Sequence, residues 1–132
     1  MSYMVPKLFF VHFQNTSFVA EEDSKILGVL IGFTSPSNKN EAYIHFVGVH
    51  PEYRGQQIGK SLYYQFFNIA QQNDRDVIRC ITSPVNKSSI AYHKRMGFDI
   101  VEGDKYEEEI HVHSDYDGPG QDRVLFSKKL SK

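Results

Sequence analysis

Residues 86–98 read Asn86-Lys87-Ser88-Ser89-Ile90-Ala91-Tyr92-His93-Lys94-Arg95-Met96-Gly97-Phe98. Asn86 is a favoured N-cap, since its side-chain oxygen accepts from an N–H of the first helical turn. A helix over Lys87–Met96 follows, and Gly97 closes it in the left-handed conformation. Just upstream, Val77–Thr82 is a short apolar strand stopped by Ser83-Pro84. The stretch is therefore a strand, a turn and a capped helix.

Working outward, Ser17–Glu21 and Lys25–Phe33 are β-rich runs split by the polar Glu22-Asp23-Ser24, the pattern of a hairpin. Ser35–Asn40 is a loop by composition. Ala42–Val49 makes a third strand, with Ile44 and Phe46 on one face and Tyr43, His45, Val47 and Val49 on the other. From Ile58 the period changes. Ile58, Leu62, Phe66 and Ile69 recur at helical steps, predicting an amphipathic helix to about Gln72, ended by Asn73-Asp74. Phe98–Val101 and Val124–Leu130 read as two more strands, separated by the polar segment Glu102–Asp122. The order ββ-β-α-β-α-β-β predicts an α/β or α+β fold with a mixed, mostly antiparallel sheet flanked by helices. Ligands of such sheets sit at strand-to-helix junctions, here Val49–Gly59 and Thr82–Asn86.

The chain has 132 residues, 15 Lys+Arg against 16 Asp+Glu, and 40% hydrophobic residues. That suits one domain over 1–132 with a real core. A net charge of −1 lacks the basic excess of a dedicated nucleic-acid binder, so no nucleic-acid partner is expected. One cysteine, Cys80, precludes an internal disulfide framework and suits a reducing compartment. No apolar run approaches the roughly 20 residues that span a bilayer. Met1–Phe13 is apolar but carries Pro6, Lys7 and His12 and lacks a small-residue cleavage site, which is not a signal peptide. A cytoplasmic protein with no membrane partner is expected.

The first junction reads Val47-Gly48-Val49-His50-Pro51-Glu52-Tyr53-Arg54-Gly55-Gln56-Gln57-Ile58-Gly59-Lys60. Arg54 supplies fixed charge, while Gly55 and Gly59 admit a ligand close to the backbone. A helix starting here also offers unpaired N–H groups and the positive end of its dipole. Together these suit phosphate. Gly55 to Lys60-Ser61 is no P-loop, because only three residues separate its glycines where four are needed. The third glycine of a dinucleotide fingerprint is absent too.

The junction resembles the pyrophosphate loop of the GNAT superfamily of N-acetyltransferases, Arg/Gln-x-x-Gly-x-Gly/Ala, with Arg54 opening it and Gly59 ending it. Gln57 stands where the middle glycine is usual. Residues 86–98 resemble the same superfamily's second coenzyme motif, Asn-x-x-Ala-x-x-Leu-Tyr-x-x-Leu-Gly-Phe. Asn86, Gly97 and Phe98 match it in identity and spacing, Met96 matches in character, and Ser89 replaces the alanine.

The resemblance, which runs from about Ser17 to the C-terminus, implies an acyl-CoA-dependent N-acetyltransferase. Acetyl-CoA would lie between two splayed parallel strands, Tyr43–Val49 and Val77–Ser83. It implies cofactor contacts from Val47, Val49, Arg54, Gly55, Gln56, Gln57, Ile58, Gly59, Lys60, Asn86 and His93, with Lys87, Lys94 and Arg95 toward the ribose phosphate. The Val49 N–H would stabilise the oxyanion. His93 falls at the family's tyrosine and is either the general acid for the thiolate or only a coenzyme contact; Tyr92 is then a core residue. Ile81 stands where many relatives carry a glutamate base. That leaves His45, Glu41, the segment His111–Asp117 or a water chain to deprotonate the amine.

His111, His113 and Asp115 alternate along one expected strand face and are read as acceptor-side groups, with no metal. Glu107–Glu109 and Asp117–Gly120 read as a solvated hairpin tip and a turn. The family's first strand and first helix have no counterpart before Ser17. Truncation, or a homodimer covering the sheet edge, is expected from that. The acceptor is a small-molecule or protein amine. The alternative is a non-catalytic coenzyme A-binding sensor or regulatory module.

Overall fold

Lys25–Thr34 (β2) is the spine of the first part of the structure, with Leu27 to Gly32 buried without a break. In the computed structural model, residues 15–53 and 57–130 are described. They fall into two compact units, one running to Ile78 and taking in Leu130, the other spanning Arg79–Lys129. The expectation about the chain's front falls on residues 1–14, outside the described residues.

In the first unit β1 (Phe18–Glu22) and β3 (Glu41–Val49) both pair antiparallel with β2. Asp23 and Ser24 join β1 to β2 with φ of 50° and 64°. Two left-handed residues match the twist of a tight hairpin. Between β2 and β3 the register slips. Ile31 faces Phe46, but Gly32 faces Ile44, so His45 is an extra residue in the register of β3. This is a β-bulge, and it reverses the alternation of side chains beyond it. Residues directly opposite share a face, so Phe46 lies with Val29, Ile31 and Tyr43, not with Ile44. Val47 and Val49 lie with Ala42 and Ile44 instead. The uninterrupted alternation expected from the sequence is corrected here, because nothing in a run of apolar and polar residues marks an inserted one.

α1 (Ile58–Gln72) lies on the Ile44 face, burying Leu62, Tyr63, Phe66, Phe67 and Ala70. Two glycines of β2 make its seat. A Cβ on Gly28 would stand 3.1 Å from Ile58 Cγ2 and 3.2 Å from Leu62 Cδ1, and one on Gly32 only 2.4 Å from the Phe66 ring. Beyond α1, Arg75 Nη1 donates to the carbonyls of Ser35, Asn38 and Glu41 at 2.9, 3.1 and 3.4 Å. That guanidinium ties the Ser35–Asn40 loop together with the Asp76 and Val77 N–H groups, which both donate to the Asn40 carbonyl.

β4 (Val77–Thr82) carries the chain into the second unit, where β8 (Val124–Lys129) lies between β4 and β5 (Asp99–Ile100). β5 is shorter than the expected Phe98–Val101, since only Asp99 and Ile100 pair, with Ser127 and Phe126. α2 spans Lys87–Arg95, one residue short of expectation, and Gly97 closes it at φ +91°. Cys80, Ile90, His93, Phe98, Val112, Val124 and Phe126 form this unit's buried set. Within the polar segment, β6 (Lys105–Glu107) and β7 (Ile110–Val112) make a separate two-stranded hairpin turning at Glu108-Glu109, where a tip was expected.

The Gly32 seat is testable. Gly32→Ala forces the Phe66 ring out of place, and overpacking of this kind costs about 1–3 kcal/mol. Urea denaturation should show that loss, with a smaller one for Gly28→Ala. Unchanged stability of Gly32→Ala would remove the seat.

Candidate functional site

The first strand-to-helix junction is built by the pairing of Val49 with Gly28. Gly28 receives Ile58 and Leu62, so the opening turn of α1 is set over the carboxyl end of β3. His50 continues the strand, its N–H donating to the Leu27 carbonyl at 2.7 Å. It then organises the 3₁₀ turn Pro51–Tyr53: the Tyr53 N–H donates to its carbonyl at 2.8 Å and the Glu52 N–H to its Nδ1 at 3.2 Å. Arg54, Gly55 and Gln56 lie outside the described residues.

Gln57 is the N-cap of α1, at φ 62° and ψ 20°, and its side chain makes no capping bond. The first carbonyl partner in the helix is taken by Ser61, whose N–H donates to the Gln57 carbonyl at 3.0 Å. The N–H groups of Ile58, Gly59 and Lys60 therefore have no acceptor within the helix. No acidic residue stands in this first turn, and Lys60 is exposed beside it. A helix start with no side-chain cap and no acidic residue in its first turn has the electrostatics that favour an anion. The left-handed Gln57 also explains why a glycine is usual at this place, since that conformation suits glycine.

The start of α2 is different. Asn86 Oδ1 accepts from the Ser89 N–H and from Ser88 Oγ, both at 3.3 Å, as its N-cap reading expected. Lys87 is ion-paired with Glu108 and is not a free cation for a phosphate. Arg95 lies over the Tyr92 ring at 5.8 Å.

His93 is buried. Its ring stacks on Phe126, with centroids 4.7 Å apart, and meets Phe98 edge-on. Nδ1 lies 2.7 Å from the Ser89 carbonyl, which fixes the Nδ1–H tautomer. Burial lowers its pKa below the ordinary imidazole value, against a smaller opposing effect of the Ser89 bond. At neutral pH the ring is neutral, the reverse of what the general-acid reading needs. Tyr92, expected in the core, is only half-buried. The signal for the exchange was present: Ile90 and His93 are three apart and share a helix face, whereas Tyr92 is turned away by a helical step.

Glu41 opens β3, half-buried, and His45 is exposed in the bulge. In the second unit, His111 lies against Tyr106 at 4.8 Å and His113 bridges Arg123 through backbone bonds of 2.8 and 3.0 Å. His111 Nδ1 and His113 Nε2 are both buried without a hydrogen-bond partner among the described residues. Asp115 does not share their face. Its φ of 54° breaks the strand, and its Oδ1 accepts from the Gly120 N–H at 2.7 Å. Among the described residues no group of three or more His, Cys, Asp or Glu could hold a metal ion. Asp104 went unread in the sequence: it accepts from the Ser114 N–H at 2.8 Å and from Ser114 Oγ, which holds its carboxyl below the usual carboxylate range. No local pattern announces a pair ten residues apart.

A profile of the acetyltransferase (GNAT) family matches residues 3–98, beginning ahead of the Ser17 start of the motif resemblance. The L-2,4-diaminobutyric acid acetyltransferase of Virgibacillus pantothenticus is 28% identical over 98 residues, covering 71% of this chain and 62% of that protein. This chain spans less than two thirds of the length of the curated relatives it matches. Its fold is similar to that of Chaetomium thermophilum Naa20 in complex with a bisubstrate analogue (TM-score 0.76, 22% identity, 92% of this chain and 70% of that one). It is similar also to a chain of the NatC complex bound to Gag peptide and CoA (TM-score 0.75, 19% identity, 99% and 81%).

Two expectations follow. Gln57→Gly should match or slightly exceed wild-type stability, since relief of the left-handed strain offsets about 0.5–1 kcal/mol of glycine entropy. Gln57→Val, β-branched, should lower the melting temperature; equal melting of all three would contradict the assigned conformation. The pKa of His93 is lower folded than unfolded, so its contribution to stability is complete above about pH 6.5 and declines as pH falls below it. In urea titrations at pH 7.5 and 5.5, His93→Phe should lose less stability on acidification than wild type. An equal loss would mean that His93 does not titrate as placed.

Proposed function

Because the chain belongs to the acetyltransferase (GNAT) family, we propose that it transfers the acetyl group of acetyl-CoA directly to a primary amine. The observation that carries this reading is the start of α1: three N–H groups without intrahelical acceptors, no cap, no carboxylate, and Gln57 in the conformation of the loop's usual glycine. Those donors suit the coenzyme's pyrophosphate, with Arg54 and Lys60 adding charge. Gly55, Gln56 and Gly59 complete the loop in this reading, and Val47 and Val49 offer backbone to the pantetheine arm.

The acceptor amine must be neutral to attack the thioester carbon, and an alkylamine with a pKa near 10.4 has first to lose a proton. His45 and Glu41 are the groups on β3 assigned to take it. As the C–N bond forms, the carbonyl oxygen gains charge, and the Val49 N–H is assigned to stabilise it. The C–S bond then breaks and the thiolate takes a proton. His93, neutral and stacked on Phe126, is given a packing and contact role here, so that proton is assigned to solvent. Asn86, as the cap of α2, fixes the turn between β4 and that helix. His111, His113 and Asp115 are assigned to the acceptor side in this reading.

Among the described residues no helix is long and apolar enough to cross a membrane. We place the protein in the cytoplasm, where its single, buried thiol Cys80 stays reduced; burial pushes that thiol's pKa up, which makes it inert. A homodimer completes the proposal, and light scattering checks it.

Calorimetric titration tests the coenzyme site. Acetyl-CoA should bind, while ATP and NADPH do not. Lys60→Glu should weaken binding at least tenfold with the melting temperature held or raised, because a carboxylate in a first turn complements the helix dipole yet repels phosphate. Loss of stability with binding retained would sink the assignment. Thiol release over a panel of amines then separates a transferase from a coenzyme-binding module: binding with no turnover across the panel selects the module.

A further inference from the structure

Glu108 and Glu109 form the two-residue tip of the β6–β7 hairpin, with φ of 49° and 65°. Tips of this shape favour asparagine and glycine, which enter the left-handed region readily. Two three-residue strands are also marginal as a free-standing hairpin. The base is secured: Val112 is buried, Asp104 holds Ser114, and Lys105 Nζ lies 3.5 Å from Asp122 Oδ2. The tip has a different tie. Glu108 Oε2 is bonded to Lys87 Nζ, 21 residues earlier.

Lys87 is the first residue of α2, where a cation sits badly against the positive end of the helix dipole. A carboxylate brought there answers both the lysine and the dipole. We propose that Lys87 and Glu108 are a latch, positioning residues that hold the hairpin tip against the first turn of α2 and so keep Tyr106 and His111 in their paired arrangement. The latch itself does not depend on the transferase reading; only its consequence, an ordered acceptor-side wall, rests on that reading.

An exposed ion pair adds little to the stability of a whole domain. Local opening of a hairpin tip is a small equilibrium, however, and the same pair shifts it by about two- to five-fold. Amide hydrogen exchange by mass spectrometry on the full chain reads that shift without any substrate. Peptides covering Lys105–Val112 should exchange about two- to five-fold faster in Lys87→Glu and in Glu108→Lys. The rate should stay at the wild-type value in Lys87→Arg and return toward it in the double charge swap. Peptides from β4 and β8 should be unmoved in all four, and 1 M salt should loosen the wild-type tip but not the single reversals. Unchanged tip exchange in the single reversals, a swap as loose as either single, or loosening that spreads through β8 would each overturn the latch.

Discussion

Because His45 is an extra residue in the register of β3 against β2, the side chains of β3 change faces partway along the strand, and Val47 and Val49 join Ala42 and Ile44 on the side that α1 covers. The first unit's chemistry depends on that slip. It brings the last residues of β3 under the helix that begins a few residues later. Gly28, opposite Val49, leaves room for Ile58, so the helix starts over the strand's end and not away from it. Without the extra residue the strand would turn its apolar side chains the other way, and the start of α1 would stand over a different surface.

The two helices of the described structure treat their starts in opposite ways. α2 is finished internally, with Asn86 as cap and Glu108 as counter-charge to Lys87. α1 is left unfinished, with a strained Gln57 in place of a cap. An unfinished start costs stability unless something else fills it. That contrast supports an anion at α1 and a scaffolding role for the start of α2.

The helices were legible because their evidence is local: apolar spacing from Ile58 onward, Asn86 before Lys87, Gly97 after Met96. Val77–Thr82 was legible for the same reason, bounded as it is by Ser83-Pro84. The bulge was not, since Tyr43-Ile44-His45-Phe46-Val47 reads as alternation whether or not one residue is extra. The burial of His93 was half legible: its spacing from Ile90 pointed inward, while its polarity and the apolar ring of Tyr92 pointed the other way. Stacking on Phe126, a residue 33 positions later, decides it and leaves no mark in sequence. The His111–His113–Asp115 triplet failed for a different reason. Asp115 adopts a turn conformation that period-two counting cannot foresee. The ion pair of Lys87 with Glu108 and the hold of Asp104 on Ser114 are long-range contacts between ordinary surface residues, invisible before folding.

Arg75 gathers three backbone carbonyls from the Ser35–Asn40 loop and Glu41. Carbonyl oxygens are the same in every residue, so this grip is indifferent to which side chains the loop displays. Substitutions of the loop's side chains therefore leave these three bonds in place. A change at Arg75 itself has no such freedom: an alanine there would remove three of the loop's ties at once while every one of its own residues stayed the same.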